Sequence, residues 1–188
     1  QLTPEEKYLY DQVTNYLTQR KEEATEEKNI HVTLALAVMQ RRLVSSIFAI
    51  KNTLFKRWNA LQGIVDEVNK NPNIWKQRQK LELVDVDNMD QYDDLEDDEK
   101  DALDNILSDP KKFKLFTTSK SLGEIVNEAQ EVKRLYDIAN QLYNQNQEEK
   151  KYIQLKELLK SQGVIDGQKL VIFTEHKDTL LYLQERLT

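Results

Sequence analysis

The sequence predicts a mainly α-helical protein: long antiparallel helices form a hairpin or bundle, and one C-terminal β-α unit of an incomplete α/β lobe follows. Four glycines, three prolines and 32% charged residues among 188 favour long helices with polar faces. Apolar residues recur every three or four positions along two long stretches, which is the helical period. Residues 170–173 form an uninterrupted apolar run, typical of a strand buried on both faces of a parallel sheet.

The first helix is predicted to begin at a capping sequence. Thr3 is the expected N-cap, Pro4 occupies the first helical position, and Glu6 closes a capping box. The apolar face of this helix continues to about Thr18. The polar stretch 19–29 either continues the helix or connects it to the next one.

The second helix is predicted to be the longest element, a single rod without a break. Its apolar side chains form a continuous seam: Leu36, Met39, Leu43, Ile47, Ile50, Leu54, Trp58, Leu61, Val65 and Val68. A rod of about 38 residues would span roughly 55 Å. A small globule cannot bury such a rod, so we expect a second long helix beside it.

The partner helix is predicted to begin at Ser121 as its N-cap. Its apolar positions have the same spacing: Leu122, Ile125, Val126, Ala129, Val132, Leu135, Ala139 and Leu142. The sequence Asn-Pro-Asn at 71–73 separates the two long helices. Another helix is expected over about 148–160, with Gly163 as the residue that ends it.

The charge is distributed unevenly along the chain. Residues 82–109 hold thirteen acids and one base, so the net charge of this block is −12. The net charge of the whole chain is −6, so the residues outside the block sum to +6. Residues 28–65 contain six bases and no acid. The acidic block is predicted to be a loop or hairpin inserted in the helical region. Because the positive charge is separate from the acidic block, a nucleic-acid partner remains compatible with the sequence.

The C-terminal segment is predicted to be one β-α unit. Residues 174–177 connect the strand to a helix with Asp178 as N-cap, and its leucines have helical spacing: Leu180, Leu181, Leu183 and Leu187. A parallel sheet needs several such units. We therefore expect a helical region over 1–163 and the start of a truncated lobe over 164–188. The lone strand is expected to pack on the helices, to pair with a second copy, or to be poorly ordered.

The residue types that carry catalysis or cofactor binding are not arranged in any recognisable pattern. There is no phosphate-binding loop, and His31 and His176 have no partners at metal-ligand spacing. We therefore expect no catalytic residue, no metal and no cofactor in this segment, and no enzymatic activity of its own. The chain has no cysteine, no signal peptide and no apolar run near the roughly 20 residues of a membrane span. These features predict a soluble, cytoplasmic protein without a membrane partner.

Two neighbouring arginines lie beside the seam of the long helix. Guanidinium groups suit phosphate oxygens, so Arg41 and Arg42 are candidates for contact with nucleic acid. Arginines on long helices also pair with acids on a neighbouring helix, and the partner helix offers Glu124, Glu128 and Glu131. We favour an interhelical or interlobe salt bridge over direct phosphate contact.

Three segments together resemble a known protein family. LTPEEKYLYDQVTNYL, VMQRRLVSSIFAIKNTL and KLVIFTEHKDTLLYLQERL are similar to parts of the Swi/Snf-type (RapA-like) branch of superfamily-two helicases. The resemblance implies that residues 1–160 are the helical region between two RecA-like lobes. It also implies that the β-α unit begins the second, incomplete RecA-like lobe.

The resemblance carries further expectations about function. It implies a parent protein that hydrolyses ATP with magnesium and translocates on nucleic acid, expected to be duplex DNA. The nucleotide site would lie in the missing lobes, and the helical region would couple the two. The loop after the strand, which in this family lies near the nucleic-acid backbone, maps to Thr174, His176 and Lys177. The acidic block matches nothing in the family, and Glu175 does not suit contact with phosphate.

A second hypothesis belongs to a different functional class. The chain would then be a self-contained helical scaffold that binds another protein through its seam. The predicted strand favours the first hypothesis, because an adaptor has no need of a strand buried on both faces.

Overall fold

The computed structural model describes residues 2–26, 30–72, 117–145, 148–161, 171–174 and 176–187. This part of the chain contains six helices: α1 (Pro4–Glu26), α2 (Ile30–Ser45), α3 (Ile47–Lys70), α4 (Leu122–Asn144), α5 (Lys150–Ser161) and α6 (Lys177–Leu187). The expectation of a mainly α-helical protein is confirmed for these residues. None of the six helices is both long and apolar enough to span a membrane.

The predicted helix starts at Thr3 and Ser121 are confirmed. The Thr3 hydroxyl accepts a hydrogen bond from Glu6 N at 3.1 Å, and the Glu6 carboxylate accepts one from Thr3 N at 2.8 Å. Ser121 Oγ accepts from Glu124 N at 3.2 Å. These contacts satisfy backbone donors that a helix start leaves without partners. The polar stretch after Thr18 continues α1 as far as Glu26.

Helices α3 and α4 form the predicted antiparallel pair. The rings of Phe48 and Tyr143 lie 5.3 Å apart, and those of Phe55 and Tyr136 also lie 5.3 Å apart. Residue numbers therefore rise along α3 as they fall along α4. Helix α1 packs against α2 and α4 and completes the bundle. The shared core includes Leu9, Val13, Leu36, Leu43, Ile50, Leu54, Leu61, Ile64, Ile125, Val132 and Leu135.

The prediction of one unbroken long helix is wrong, because the rod divides at Ser46. Ser46 has extended backbone angles, φ −158° and ψ 157°, and its Oγ accepts from Ala49 N at 3.1 Å as the N-cap of α3. The two parts are α2 and α3. The predicted seam also shifts along α3: Trp58 and Val65 are only partly buried, whereas Ile64 is fully enclosed.

The predicted C-terminal β-α unit is not supported, because its strand is missing from the described residues. Residues 171–174 form no strand, and Val171 and Phe173 are 73% and 92% exposed. A strand is stable only beside neighbouring strands, and the described residues supply none. Helix α6 follows as expected but begins at Lys177, so Asp178 lies in its first turn and is not the N-cap.

Several predicted features lie outside the described residues. They are the acidic block 82–109, the helix end at Gly163, the first strand residue Leu170, and the boundary between the helical region and the lobe at 163–164.

Candidate functional site at the helix junction

The start of α6 packs against the junction of α2 and α3. Arg42 Nη1 donates to Asp178 Oδ2 at 2.8 Å, and Asn52 Nδ2 donates to Asp178 Oδ1 at 3.2 Å. Arg42 is only 7% exposed, so this charge-assisted pair is largely shielded from water. One carboxylate of α6 therefore joins the end of α2 to the first half of α3.

Three small hydroxyl side chains lie beside this ion pair. Thr179 Oγ1 is 2.6 Å from Ser45 Oγ and 3.2 Å from Ser46 Oγ. Short side chains on both surfaces allow the two backbones to approach closely. Because Asp178 and Thr179 are neighbours in the first turn of α6, the helix contacts the junction through consecutive residues.

An aromatic cluster anchors the next turn of α6. Tyr182 is 5% exposed, and its ring centroid lies 6.3 Å from Phe48, 6.5 Å from Tyr143 and 5.8 Å from Tyr152. Burial raises the pKa of the Tyr182 hydroxyl to about 12. Lys51 Nζ lies 4.0 Å from the centroid of the Tyr143 ring, a cation–π contact. The cluster therefore holds α6 on α3, α4 and α5 together.

The five predicted nucleic-acid residues differ in exposure. They are Arg41 and Thr174, both half-buried, the buried Arg42 and His176, and the exposed Lys177. His176 precedes α6, and its carbonyl oxygen accepts the first backbone hydrogen bond of that helix at 3.0 Å. The structure brings Arg42 to the start of α6, where it faces a carboxylate. Contact of these residues with nucleic acid stays a prediction.

A second polar cluster lies inside the bundle, where α1, α3 and α4 meet. Arg57 Nη2 donates to Glu128 Oε1 at 2.6 Å, and Arg57 Nε donates to the Tyr16 hydroxyl at 2.6 Å. The Tyr16 hydroxyl in turn donates to Glu128 Oε1 at 2.9 Å. Glu128, one of the acids that the sequence offered as a partner for Arg41 or Arg42, thus pairs with Arg57. Arg42 forms its ion pair with Asp178 on α6.

Glu128 is fully buried and ionised. Burial by itself would raise the pKa of its carboxyl group, but the charges of Arg57 and Arg20 together with hydrogen bonds outweigh that effect. These hydrogen bonds come from Thr117 Oγ1 at 2.6 Å and Ser119 Oγ at 2.8 Å, and the net pKa is about 2. The cluster is thus a satisfied ionic brace between three helices.

Sequence reasoning missed the residues that hold α6 in place. The sequence predicts Asp178 as a helix cap and no role for Thr179 or Asn52, because no local pattern reveals a partner more than a hundred residues away. Arg57 and Glu128 could have been found. Each falls on the apolar seam of its helix, so two opposite charges are buried on helices that pack together.

Among the described residues, no group of three or more His, Asp or Glu side chains is placed to hold a metal ion. No family model, curated protein or solved structure matches the chain.

Proposed function

We propose that this chain is the interlobe helical region of an ATP-dependent nucleic-acid translocase of the Swi/Snf type, together with the start of its second RecA-like lobe. Its task is mechanical: the helices couple the movements of the two motor lobes. ATP and magnesium bind in the lobes, and this chain carries no catalytic residue. Duplex DNA is the proposed track.

One observation supports this proposal more than any other. Two of the strings that carry the resemblance, QRRLVSS at 40–46 and IFTEHKDTL at 172–180, contact each other through Arg42–Asp178 and Ser45–Thr179. These residues are far apart in sequence. A direct polar contact between them is what a coupling element needs, because force on α6 then reaches α2 and α3.

The exposed stretch before α6 is consistent with the same proposal. Val171 and Phe173 are exposed in the chain described here. In the proposed second lobe, residues 170–173 would form a strand with neighbours on both sides. Burial of the two exposed side chains between neighbouring elements of that lobe would then offset the cost of ordering them.

The first test is nucleic-acid binding by this chain as a function of salt. We expect duplex DNA to bind more weakly as salt rises from about 50 mM to about 200 mM. Arg41→Ala is the informative variant, because Arg42→Ala also removes the partner of Asp178. Loss of one phosphate contact should lower the slope of log affinity against log salt by about one. Lys70→Ala, at the far end of α3, is the matched control and should leave the slope unchanged.

The second test is ATP hydrolysis by the protein at its full natural length, with and without duplex DNA. Hydrolysis stimulated by DNA is the expected result. A full-length protein that hydrolyses no ATP in the presence of nucleic acid would refute the translocase proposal, whatever the isolated chain binds.

The second candidate function is a helical scaffold that binds another protein. It is favoured by an aromatic strip on the outer face of α3 and α4, where Phe55 is 42% exposed beside Trp58 and Tyr136. Aromatic side chains are enriched at protein interfaces. Absence of both DNA binding and ATP hydrolysis would leave this candidate as the better account.

A further inference from the structure

The structure divides a helix that its sequence would continue. Buried residues keep the same helical phase on both sides of Ser46: Val32, Leu36, Met39, Leu43, Ile47, Ile50, Leu54, Leu61, Ile64 and Val68. No glycine or proline occurs from 30 to 62, so local sequence does not force a break. The Ser46 N-cap is a local feature that permits the break, and contacts from elsewhere in the fold stabilise it.

A single hydrogen bond shows that the helix axis bends at this point. Arg42 Nη1 donates to Thr53 Oγ1 at 3.2 Å. Residues eleven positions apart are separated by about 16 Å along a straight helix. The arginine and threonine side chains together are too short to cover that distance. Helix α2 is therefore inclined towards α3.

Two residues of α6 bind both sides of the bend. Asp178 contacts Arg42 on α2 and Asn52 on α3. Thr179 contacts Ser45 on α2 and Ser46 at the break itself. The contacts of Asp178 join α2 to α3, and those of Thr179 hold α6 at the break, so both favour the bent arrangement.

A third contact replaces a hydrogen bond that a straight helix would make internally. In an unbroken helix, the N–H of Ile47 would donate to the carbonyl of Leu43. Here it donates to Glu149 Oε2 at 3.1 Å, so the side chain that directly precedes α5 caps α3. The hydrogen bond that the Ile47 N–H loses at the break is thus replaced by one to a side chain outside the two helices.

We propose that the α2–α3 junction is a two-state hinge, which α6 holds bent and which straightens into one continuous helix when α6 leaves. The sequence supports the straight state, and the contacts of Asp178, Thr179 and Glu149 select the bent one. The hinge rests on the packing of the described helices alone. Within the proposed translocase, movement of the second lobe would pull α6 away and swing α2 relative to α3.

The absence of cysteine makes the hinge directly measurable. Spin labels attached at Gln40→Cys and Asn59→Cys, both exposed positions, would report the distance across the junction by double electron–electron resonance. Nineteen residues of straight helix separate labelled backbones by about 28 Å, and the bent state brings them several ångströms closer. The otherwise unchanged chain should show the shorter distance.

Asp178→Ala/Thr179→Val should shift the distance distribution towards about 28 Å, because it removes the contacts of α6 on both sides of the bend. Glu157→Ala is the matched control: it removes the same charge from an exposed position on α5 and should leave the distances unchanged. Circular dichroism confirms that each variant keeps its helices.

An unchanged distance in a folded Asp178→Ala/Thr179→Val variant would overturn the hinge, as would a straight-helix distance in the parent chain. If that variant loses helical signal, Ser46→Ala decides the question. Alanine removes the N-cap of α3 and favours a helix interior, so a larger long-distance fraction is expected. No change in that variant would also overturn the proposal. None of these readouts depends on DNA binding or ATP hydrolysis, so failure of the translocase proposal would remain distinguishable.

Discussion

Replacement of Glu128 by glutamine would remove one charge from the centre of the helical bundle with almost no change of shape. Glu128 Oε1 accepts hydrogen bonds from Arg57 Nη2 at 2.6 Å and from the Tyr16 hydroxyl at 2.9 Å. A neutral amide cannot balance the Arg57 guanidinium, which is itself only 5% exposed. We expect Glu128→Gln to keep the fold but to lose much of its stability.

The size of the free-energy loss follows both from the lowered pKa of Glu128 and from the general cost of removing one partner of a buried ion pair. The pKa of Glu128 falls from 4.5 to about 2 in the folded protein. This lowering of the pKa corresponds to about 3 kcal/mol of stabilisation by the ionised carboxylate. Removal of one partner from a buried ion pair costs about 3–5 kcal/mol in other proteins. A loss of about 3 kcal/mol is a large part of a typical free energy of unfolding, about 5–15 kcal/mol.

The same shift predicts how stability depends on pH. Because folding lowers the pKa of Glu128, its contribution is fully present above a pH of about 4.5 and is lost as the pH falls towards about 2. Glu128→Gln lacks this contribution at every pH. The unfolding free energies of the two proteins should therefore converge as the pH falls.

Urea unfolding followed by circular dichroism measures these differences. Glu131→Gln on the same helix is the matched control: Glu131 is half-exposed and lies 3.8 Å from Arg20, so its loss should cost under about 1 kcal/mol. A double variant, Arg57→Met/Glu128→Leu, should recover part of the lost stability, because neither charge of the pair is then buried without its partner. A loss below about 1 kcal/mol in Glu128→Gln would refute the buried-pair argument. Parallel pH dependence of the parent and Glu128→Gln would refute it as well.

Two further predictions concern helix starts. Ser121→Ala should lower the free energy of unfolding by about 1 kcal/mol, because Glu124 N loses its capping acceptor; an unchanged urea midpoint would contradict this role. Glu149→Gln should unfold at higher urea than the parent near neutral pH, because burial and the charge of Glu6 raise the pKa of Glu149, while the amide oxygen still accepts from Ile47 N. The difference between the two urea midpoints should decrease as the pH falls, since Glu149 then gains a proton. A lower midpoint for Glu149→Gln near neutral pH would show that its negative charge is needed for capping.

The candidate site was only partly readable from the sequence. The sequence predicts an ion pair for Arg42, because arginines on long helices pair with acids on a neighbouring helix. Its partner, Asp178, could not be identified, because the two positions are 136 residues apart and no periodicity links them. The contacts of Thr179 and Asn52 could not be identified for the same reason. The Arg57–Glu128 pair could have been predicted, because each residue lies on the apolar seam of its helix and the two helices pack together.

The amino-acid sequence by itself determined which segments are helical and where two of the helices, α1 and α4, begin. Apolar spacing, the capping box at Thr3 and the N-cap at Ser121 are local properties, because they depend on side chains within one or two turns. Only the tertiary structure decided the break at Ser46 and the absence of a strand at 171–174. The physical reason is the same in both cases. The bend at Ser46 is stabilised by Glu149 and by residues of α6, and a strand needs neighbouring strands, so neither state is specified by its own residues alone.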